Sequence, residues 1–344
     1  MYRVGIIGLG SIAMQYAKPG DKQPYTHIGG IRDCPAVQLC AVADMLPERL
    51  DLFRSQWAPE LPGSPGRTYA QGEELIAKEE LDILAICVKG PFHHAMALEA
   101  LANTGAKVIF LEKPMACSLK EADEIDRMAK QKKKTIIIDY SRHWDPHVLH
   151  MQRKVKEGLI GKVKSVMGFG GGSVLSDCSH IIDSICQFAG TDPVRVHAYT
   201  KSGGDKAPDG YDPEPRFVSM QVCFDSGITG HFVEVYGSGR EFSMEIVGDN
   251  GTVHTGMYIE TKVFDKKGDR IDPAALGLPE KKGVFEVAYG QITAFLDGGP
   301  LPECTRATYQ AVNEIGFGAI ESGISGKSIV LPCALRDRKI YANG

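Results

Sequence analysis

The chain opens on an apolar run, Val4-Gly-Ile-Ile-Gly-Leu-Gly, and similar runs return at Val37–Ala43, Leu81–Val88, Lys107–Leu111 and Thr135–Asp139. Strands that stay apolar instead of alternating belong in a sheet covered on both faces, which is the habit of parallel sheets. Between several of them apolar positions fall three and four apart, at His94–Ala102 and Leu119–Lys130, and this spacing predicts amphipathic helices. Ser118 followed by Glu121 fits a capping box for the second. Strand and helix in alternation through residues 1–140 predict a doubly wound α/β domain.

From Ser141 the pattern changes. A helix is expected at Pro146–Leu159, a strand at Val163–Met167 and a helix at His180–Phe188. Strand-like runs then follow one another: Val194–Thr200, Phe217–Phe224, Ile228–Val235, Phe242–Val247 and Ile259–Phe264. Short turns such as Asp225-Ser-Gly227 make this second sheet largely antiparallel. Late helices at Glu286–Leu296 and Arg306–Ser322 complete an α+β domain over residues 141–344, with one sheet face left open. Gly203–Pro215, rich in Gly, Pro and Asp, reads as a loop.

A chain of 344 residues exceeds one ordinary core, in keeping with two domains. Its net charge of −4 argues against nucleic acid or an anionic membrane as the main partner. The basic run Lys130-Gln-Lys-Lys-Lys134 falls at a helix end, where it complements the dipole. Nine cysteines without C-x-x-C spacing favour reduced thiols over disulfides or a metal cluster. No apolar run reaches membrane-spanning length, and a strand begins at the second residue, so a signal peptide does not fit and the cytoplasm is the expected location.

Gly8-Leu-Gly10-Ser11-Ile12-Ala13 directly follows the first strand and fits the G-x-G-x-x-G/A turn that carries a strand into a helix facing a pyrophosphate. Gly8 would allow the tight turn, Gly10 the approach of phosphates, and Ala13 the packing of helix on sheet. A purely structural turn is the alternative. Asp44 closes the second strand, where a carboxylate accepts from ribose hydroxyls and repels a 2′-phosphate, favouring NAD over NADP unless an arginine such as Arg49 lies beside it. A strand-end turn aspartate is the other reading. Asp44 stands 34 residues after Gly10, beyond the usual interval of about 20, and Pro19, Gly20 and Pro24 explain it by interrupting the first helix before His27. Glu112-Lys113-Pro114 then follows the strand Val108–Leu111. A lysine at the carboxyl end of such a strand faces the ligand crevice of an open α/β sheet. The residues alone leave it open whether Lys113 serves a ligand or is solvated.

These motifs resemble the Gfo/Idh/MocA oxidoreductases, the group of glucose–fructose oxidoreductase and inositol dehydrogenase. The stretch Gly170-Gly-Gly-Ser-Val-Leu-Ser-Asp-Cys-Ser-His180-Ile-Ile-Asp183 is similar to the family's substrate-domain motif, and Glu245-Ile-Val-Gly-Asp-Asn-Gly-Thr252 to its strand and hairpin. The resemblance runs through essentially the whole chain. It implies a Rossmann domain, then a substrate and oligomerisation domain, with Lys113 and His180 flanking the carbon that exchanges hydride with nicotinamide. Many members carry an aspartate four residues before that histidine. Here Ser176 stands at that place and Asp177 one residue later, which on a helix would still share a face with His180. Asp177 as a helix N-cap is the alternative. Asp183 would bind a substrate hydroxyl beside Ser176.

On the cofactor side the resemblance places Gly8, Gly10, Ser11, Ile12, Asp44, Val88, Lys89, His94, Glu112, Lys113 and Arg142. Lys89 departs from the family's usual loop; it either meets a phosphate or anionic substrate or is solvated. Arg142, in Arg-His-Trp-Asp-Pro146, would lie by nicotinamide or substrate, while Trp144 packs inside. His27, His147 and His150 show no third ligand at metal spacing, so no metal is assigned. The implied activity is NAD-dependent oxidation or reduction at a secondary alcohol or ketone of a sugar, cyclitol or sugar derivative, in a homodimer or homotetramer. Two alternatives stay open: glycoside cleavage or lyase chemistry through transient oxidation by tightly held NAD, and a redox-silent NAD-binding regulator, motivated by Ser176 and Lys89.

Overall fold

A computed structural model describes residues 1–61, 66–204 and 206–343. The first strands are β1 (Tyr2–Ile7), β2 (Val37–Ala43), β3 (Arg67–Tyr69), β4 (Ile83–Ile86), β5 (Val108–Glu112) and β6 (Thr135–Asp139). Among them run helices α1 (His27–Asp33), α2 (Pro47–Leu52), α3 (Gly72–Lys78), α4 (His93–Asn103) and α5 (Leu119–Lys132). Then come α6 (Pro146–Lys156), β7 (Val163–Gly170), α7 (Ser179–Ala189), β8 (Pro193–Lys201), β9 (Asp212–Pro213), β10 (Arg216–Phe224) and β11 (Thr229–Glu234). The chain continues through β12 (Ser243–Gly248), β13 (Gly251–Gly256), β14 (Lys262–Asp265), α8 (Pro273–Leu276), α9 (Val284–Leu296), α10 (Arg306–Ser325), β15 (Ile329–Val330) and β16 (Ile340–Tyr341).

It divides into two compact units. The first holds Met1–Ala116, Glu121–Ser141 and Lys282–Arg306; the second holds Cys117–Lys120, Arg142–Lys281 and Ala307–Gly344. In the first, six strands pair in parallel in the order β3-β2-β1-β4-β5-β6. Every residue of β4 and β5 is buried, as cover on both faces requires. The order reverses between β1 and β4, the switch point beside which open α/β sheets bind their ligands. This is the doubly wound sheet that the apolar runs predict.

Two features of this unit differ from the simplest doubly wound pattern. The helix after the glycine turn lasts only from Ser11 to Gln15, and α1 begins at His27 after the stretch that holds Pro19 and Pro24. The segment 282–306, which the sequence reading puts in the C-terminal domain, belongs to this unit because α9 packs on α1. Its apolar stripe of Phe285, Ala288, Tyr289 and Ile292 shows that it is a helix but not which sheet it covers.

In the second unit eight strands form one mixed sheet in the order β14-β13-β12-β7-β11-β10-β8-β15. β7 and β11 run parallel and the other pairs antiparallel. α7 lies against β7, where Gly168 leaves room for it: a Cβ there would stand 2.3 Å from Ile181. Burial alternates along β8 and β10, one side inward and the other exposed. The strand and hairpin expected at Glu245–Thr252 are β12 and the start of β13, and the run expected at Ile259–Phe264 is a strand only over Lys262–Asp265. Gly203–Pro215 is irregular apart from β9, which pairs with β16, and Asp205 within it lies outside the described residues. No helix among the described residues is long and apolar enough to cross a membrane.

The α1–α9 packing predicts opposite outcomes for two glycines. A Cβ on Gly30 would lie 2.3 Å from the Phe285 Cβ, whereas one on Gly290 meets nothing within 4 Å. Gly30→Ala should lower stability by about 1–3 kcal/mol through overpacking, and Gly290→Ala should raise it by up to about 1 kcal/mol through helix propensity. Denaturant midpoints of the two variants check this; equal shifts would contradict the packing.

Candidate active site

The glycine turn leaves its donors open. Gly8 adopts φ +92°, a left-handed conformation that suits glycine, and a Cβ there would lie 2.6 Å from the Cys87 carbonyl oxygen. Gly10, in contrast, would direct a Cβ into empty space. The N–H groups of Gly10, Ser11 and Ile12 find no acceptor among the described residues, as expected for the first turn of a helix. Asp44 is buried and takes hydrogen bonds from the Leu9 N–H (2.7 Å) and the Leu46 N–H (2.9 Å), and Arg49 pairs with it at 3.2 Å. The arginine considered as a neighbour is therefore there, half-exposed, and offsets part of the carboxylate charge. One Asp44 oxygen keeps accepting capacity. Free N–H donors and this carboxylate, on the loops after β1 and β2, fit the pyrophosphate and ribose of a dinucleotide.

The next loops are tied to one another. His93, wholly buried, bridges the Pro114 carbonyl (2.6 Å) and the Val88 carbonyl (2.9 Å). Burial holds its pKa below the usual histidine value, against those two carbonyls. The sequence reading singles out His94 instead. Its imidazole is turned to Glu124 at 2.9 Å, between α4 and α5, because one step round a helix changes the face. Lys89 is exposed, beside the half-buried Val88.

Lys113 follows β5, half-buried, and its N–H is donated to the Glu112 side chain at 3.2 Å. Glu112 is itself buried, and the β5–β6 register sets it directly beside Asp139. Neither Asp139 oxygen has a hydrogen-bond partner among the described residues. Opposite both stands His27, buried, with Nε2 3.4 Å from Glu112 and 3.6 Å from Asp139, and Nδ1 3.0 Å from the Tyr289 hydroxyl. Sequence spacing suggests no partners for His27, because the parallel register that brings them together is not visible in it.

Charge in this cluster is governed by burial. Burial alone would empty His27 of its proton, but Cys87, Tyr289 and Asp139 around it outweigh that and raise its pKa well above the usual value. Burial and the neighbouring Glu112 push Asp139 well up, which favours its protonated form. Glu112, despite burial, is held below the ordinary range by His27 and Asp139. Burial raises Cys87, and Tyr289 to about 12, against the pull of His27 on both.

In the second unit, His180 is buried in the first turn of α7 and Asp183 lies one turn on. The Asp183 carboxylate, expected to meet substrate, is turned to His143 Nδ1 at 2.9 Å, both side chains buried. Next to His143, Arg142 stacks on the Phe242 ring at 3.6 Å and lies 6.0 Å from the Tyr258 ring, and His180 meets Phe242 edge-on at 6.3 Å. The structure thus gathers Arg142 and His180 around one aromatic residue. Trp144 is buried, as expected.

Asp177 precedes α7 instead of lying on it and accepts from the Ser173 N–H at 2.8 Å. The N-cap is Cys178, so the helical route from Asp177 to His180 is not built, nor is the capping alternative. Ser176 donates to Glu214 at 2.5 Å, and Glu214 also accepts from the N–H groups of Leu175 and Ser176. Burial raises the Glu214 pKa against those donors. Sequence reasoning missed Glu214, Phe242 and Tyr258, all on irregular stretches.

Residues 2–140 match the model of the oxidoreductase family with the NAD-binding Rossmann fold, and over them the chain is similar to the Gfo/Idh/MocA oxidoreductases. It is an NAD-binding oxidoreductase. The scyllo-inositol 2-dehydrogenase (NAD(+)) of Bacillus subtilis (strain 168) is 22% identical over 351 residues, covering 96% of each chain. In fold, the chain resembles an NAD binding oxidoreductase from Klebsiella pneumoniae (TM-score 0.75, 19% identity, 96% of this chain and 98% of that one). It also resembles the myo-inositol 2-dehydrogenase of Lactobacillus plantarum (TM-score 0.70, 22% identity, 96% and 99%).

The buried cluster predicts a pH dependence. His27 has a raised folded pKa, so its contribution to stability is complete below about 6.5 and fades as pH rises through the raised value. Asp139, also raised, acts in the same sense from lower pH. Unfolding free energy should fall from neutral to alkaline pH, and His27→Gln should flatten that fall. Parallel denaturant titrations measure both slopes; identical slopes would place the effect elsewhere.

Proposed function

We propose that the protein is an NAD-dependent dehydrogenase or reductase acting on a secondary alcohol or ketone of a sugar, cyclitol or sugar derivative, with Lys113 and His180 serving the reacting oxygen. The observation that carries this reading is the place of Lys113: it follows the strand end at the switch side of a parallel sheet, and its own N–H is anchored on a buried, ionised Glu112. The open N–H groups after β1 support the cofactor half. The curated relative named above, an inositol dehydrogenase, supports the substrate class.

NAD, when bound, takes up or returns the hydride. The protein's part is to hold and polarise. Gly10, Ser11 and Ile12 offer N–H groups to the pyrophosphate, and Asp44 accepts from a ribose hydroxyl while Arg49 tempers its charge. The Lys113 ammonium donates to the substrate oxygen and stabilises negative charge as it develops there. His180 takes the hydroxyl proton in oxidation and returns it in reduction. A preorganised donor of this kind contributes on the order of 10²–10³ in rate. The exposed side of the second sheet supports association of identical subunits, as a dimer or tetramer.

Lys113→Ala and His180→Ala should each lose turnover by about 10² or more while NAD binding persists. The assay is NADH absorbance over a panel of cyclitols, free sugars and glycosides, with NAD affinity measured separately by titration. Retained turnover in both variants would refute the roles. Product from a glycoside without accumulating NADH would point instead to cleavage through transient oxidation.

A further inference from the structure

Within the second unit Arg142 is a cation without a counter-charge. Its guanidinium makes no ion pair among the described residues, and its Nε is buried without a hydrogen-bond partner. Many other arginines of the chain are paired: Arg32 with Asp33, Arg49 with Asp44, Arg306 with Asp126 and Arg336 with Glu314. Arg142 instead lies flat on Phe242 at 3.6 Å, with Tyr258 at 6.0 Å. Stacking on an aromatic face uses the plane of the guanidinium and leaves its N–H edge to donate.

The support under this arrangement is rigid. His143, the next residue, is locked to Asp183 at 2.9 Å inside the unit, and Asp145 caps α6 through the N–H groups of His147 and Val148. Phe242 adopts φ +60°, a left-handed conformation that a bulky residue keeps only when its surroundings impose it. Its N–H is donated to the Phe169 carbonyl at 2.8 Å, which fixes the ring beneath Arg142. Asp183, which pins His143, is one helical turn from His180, and His180 meets the Phe242 ring edge-on at 6.3 Å.

We infer that Arg142, seated on Phe242, is an anion-binding subsite beside His180, and that the substrate is a sugar acid whose carboxylate it holds. This rests on the reading that His180 lies at the reacting carbon. A planar guanidinium donating two N–H groups matches a carboxylate, whereas a neutral polyol offers it no charge. The nicotinamide cofactor's own phosphates are the competing anion, and the test separates the two.

With full-length protein and saturating NAD, D-glucuronate, D-galacturonate, D-gluconate and D-galactonate are each compared with the matching neutral sugar or alditol by calorimetric titration and by NADH formation. At least one acid should bind about tenfold or more tighter than its neutral counterpart. Arg142→Gln should reduce that acid-over-neutral ratio about tenfold or more, and Arg142→Lys, which keeps the charge but not the planar fork, should reduce it less. Phe242→Leu, which removes the stack and keeps the arginine, should lower the ratio too, and serves if the Gln variant fails to fold. NAD affinity without sugar, titrated for Arg142→Gln, separates the subsite from the cofactor contact that the family resemblance also allows for Arg142. No binding by any acid, an unchanged ratio, or weakened NAD binding without sugar would each overturn the subsite. Arginine-dependent acid binding without NADH formation would leave the subsite standing and refute the dehydrogenase reading instead.

Discussion

Two carboxyl groups paired in register at the ends of neighbouring buried strands repel each other unless one stays protonated or a cation is supplied. Glu112 and Asp139 are such a pair, and the first unit uses both remedies. Asp139 is pushed toward its protonated form, and His27 faces Glu112, whose pKa it holds down. An isolated Glu112 charge would be expensive to bury; His27 opposite it favours that charge. His27 reaches this place because α1 begins at that residue, and α9 supplies the Tyr289 hydroxyl to its other nitrogen. The two helices are therefore bound to the strand ends by polar geometry as well as by the close packing of Gly30 on Phe285.

That balance also fixes the end of β5. An ionised Glu112 accepts from the N–H of Lys113, so the backbone from which the lysine projects is held by a group that is itself over-determined. His93 adds a second tie between the loops after β4 and β5 through the carbonyls of Val88 and Pro114. Precision at a strand end matters because a donor to a reacting oxygen contributes only when its place is settled before the reaction.

The extent to which this was legible in sequence depends on the range of each interaction. The parallel strands are marked by local composition: Val37–Ala43 and Thr135–Asp139 are apolar throughout and fall where expected. The broken first helix is equally local, since Pro19 and Pro24 act within a few residues. Interactions that depend on register are not. Nothing near His27 announces Glu112 and Asp139, 85 or more residues away, and nothing near α9 says that its stripe covers α1. Helix phase is a finer matter: His93 and His94 are neighbours in sequence, yet one is wholly buried and the other meets Glu124. Asp177 shows the limit of counting back from a motif, because i−3 means a shared face only where a helix exists, and α7 starts two residues later. The residues around Arg142 were the hardest to foresee, as Phe242 and Tyr258 reach it from irregular segments that no period describes.

The two units handle buried charge in opposite ways, and the contrast bears on function. Behind Lys113 every charge is answered inside the protein, which suits a scaffold. Behind Arg142, His143 is held by the Asp183 carboxylate at 2.9 Å. Among the described residues Arg142 is answered by the aromatic rings of Phe242 and Tyr258, weaker partners than a carboxylate. Among the second unit's described carboxylates none is brought to it, although Asp183 lies on the same helix as His180 and is engaged elsewhere. A fold that compensates its supporting charges this fully, and leaves one rigidly held guanidinium open next to a buried histidine, has the electrostatic form of a site that expects its anion from outside.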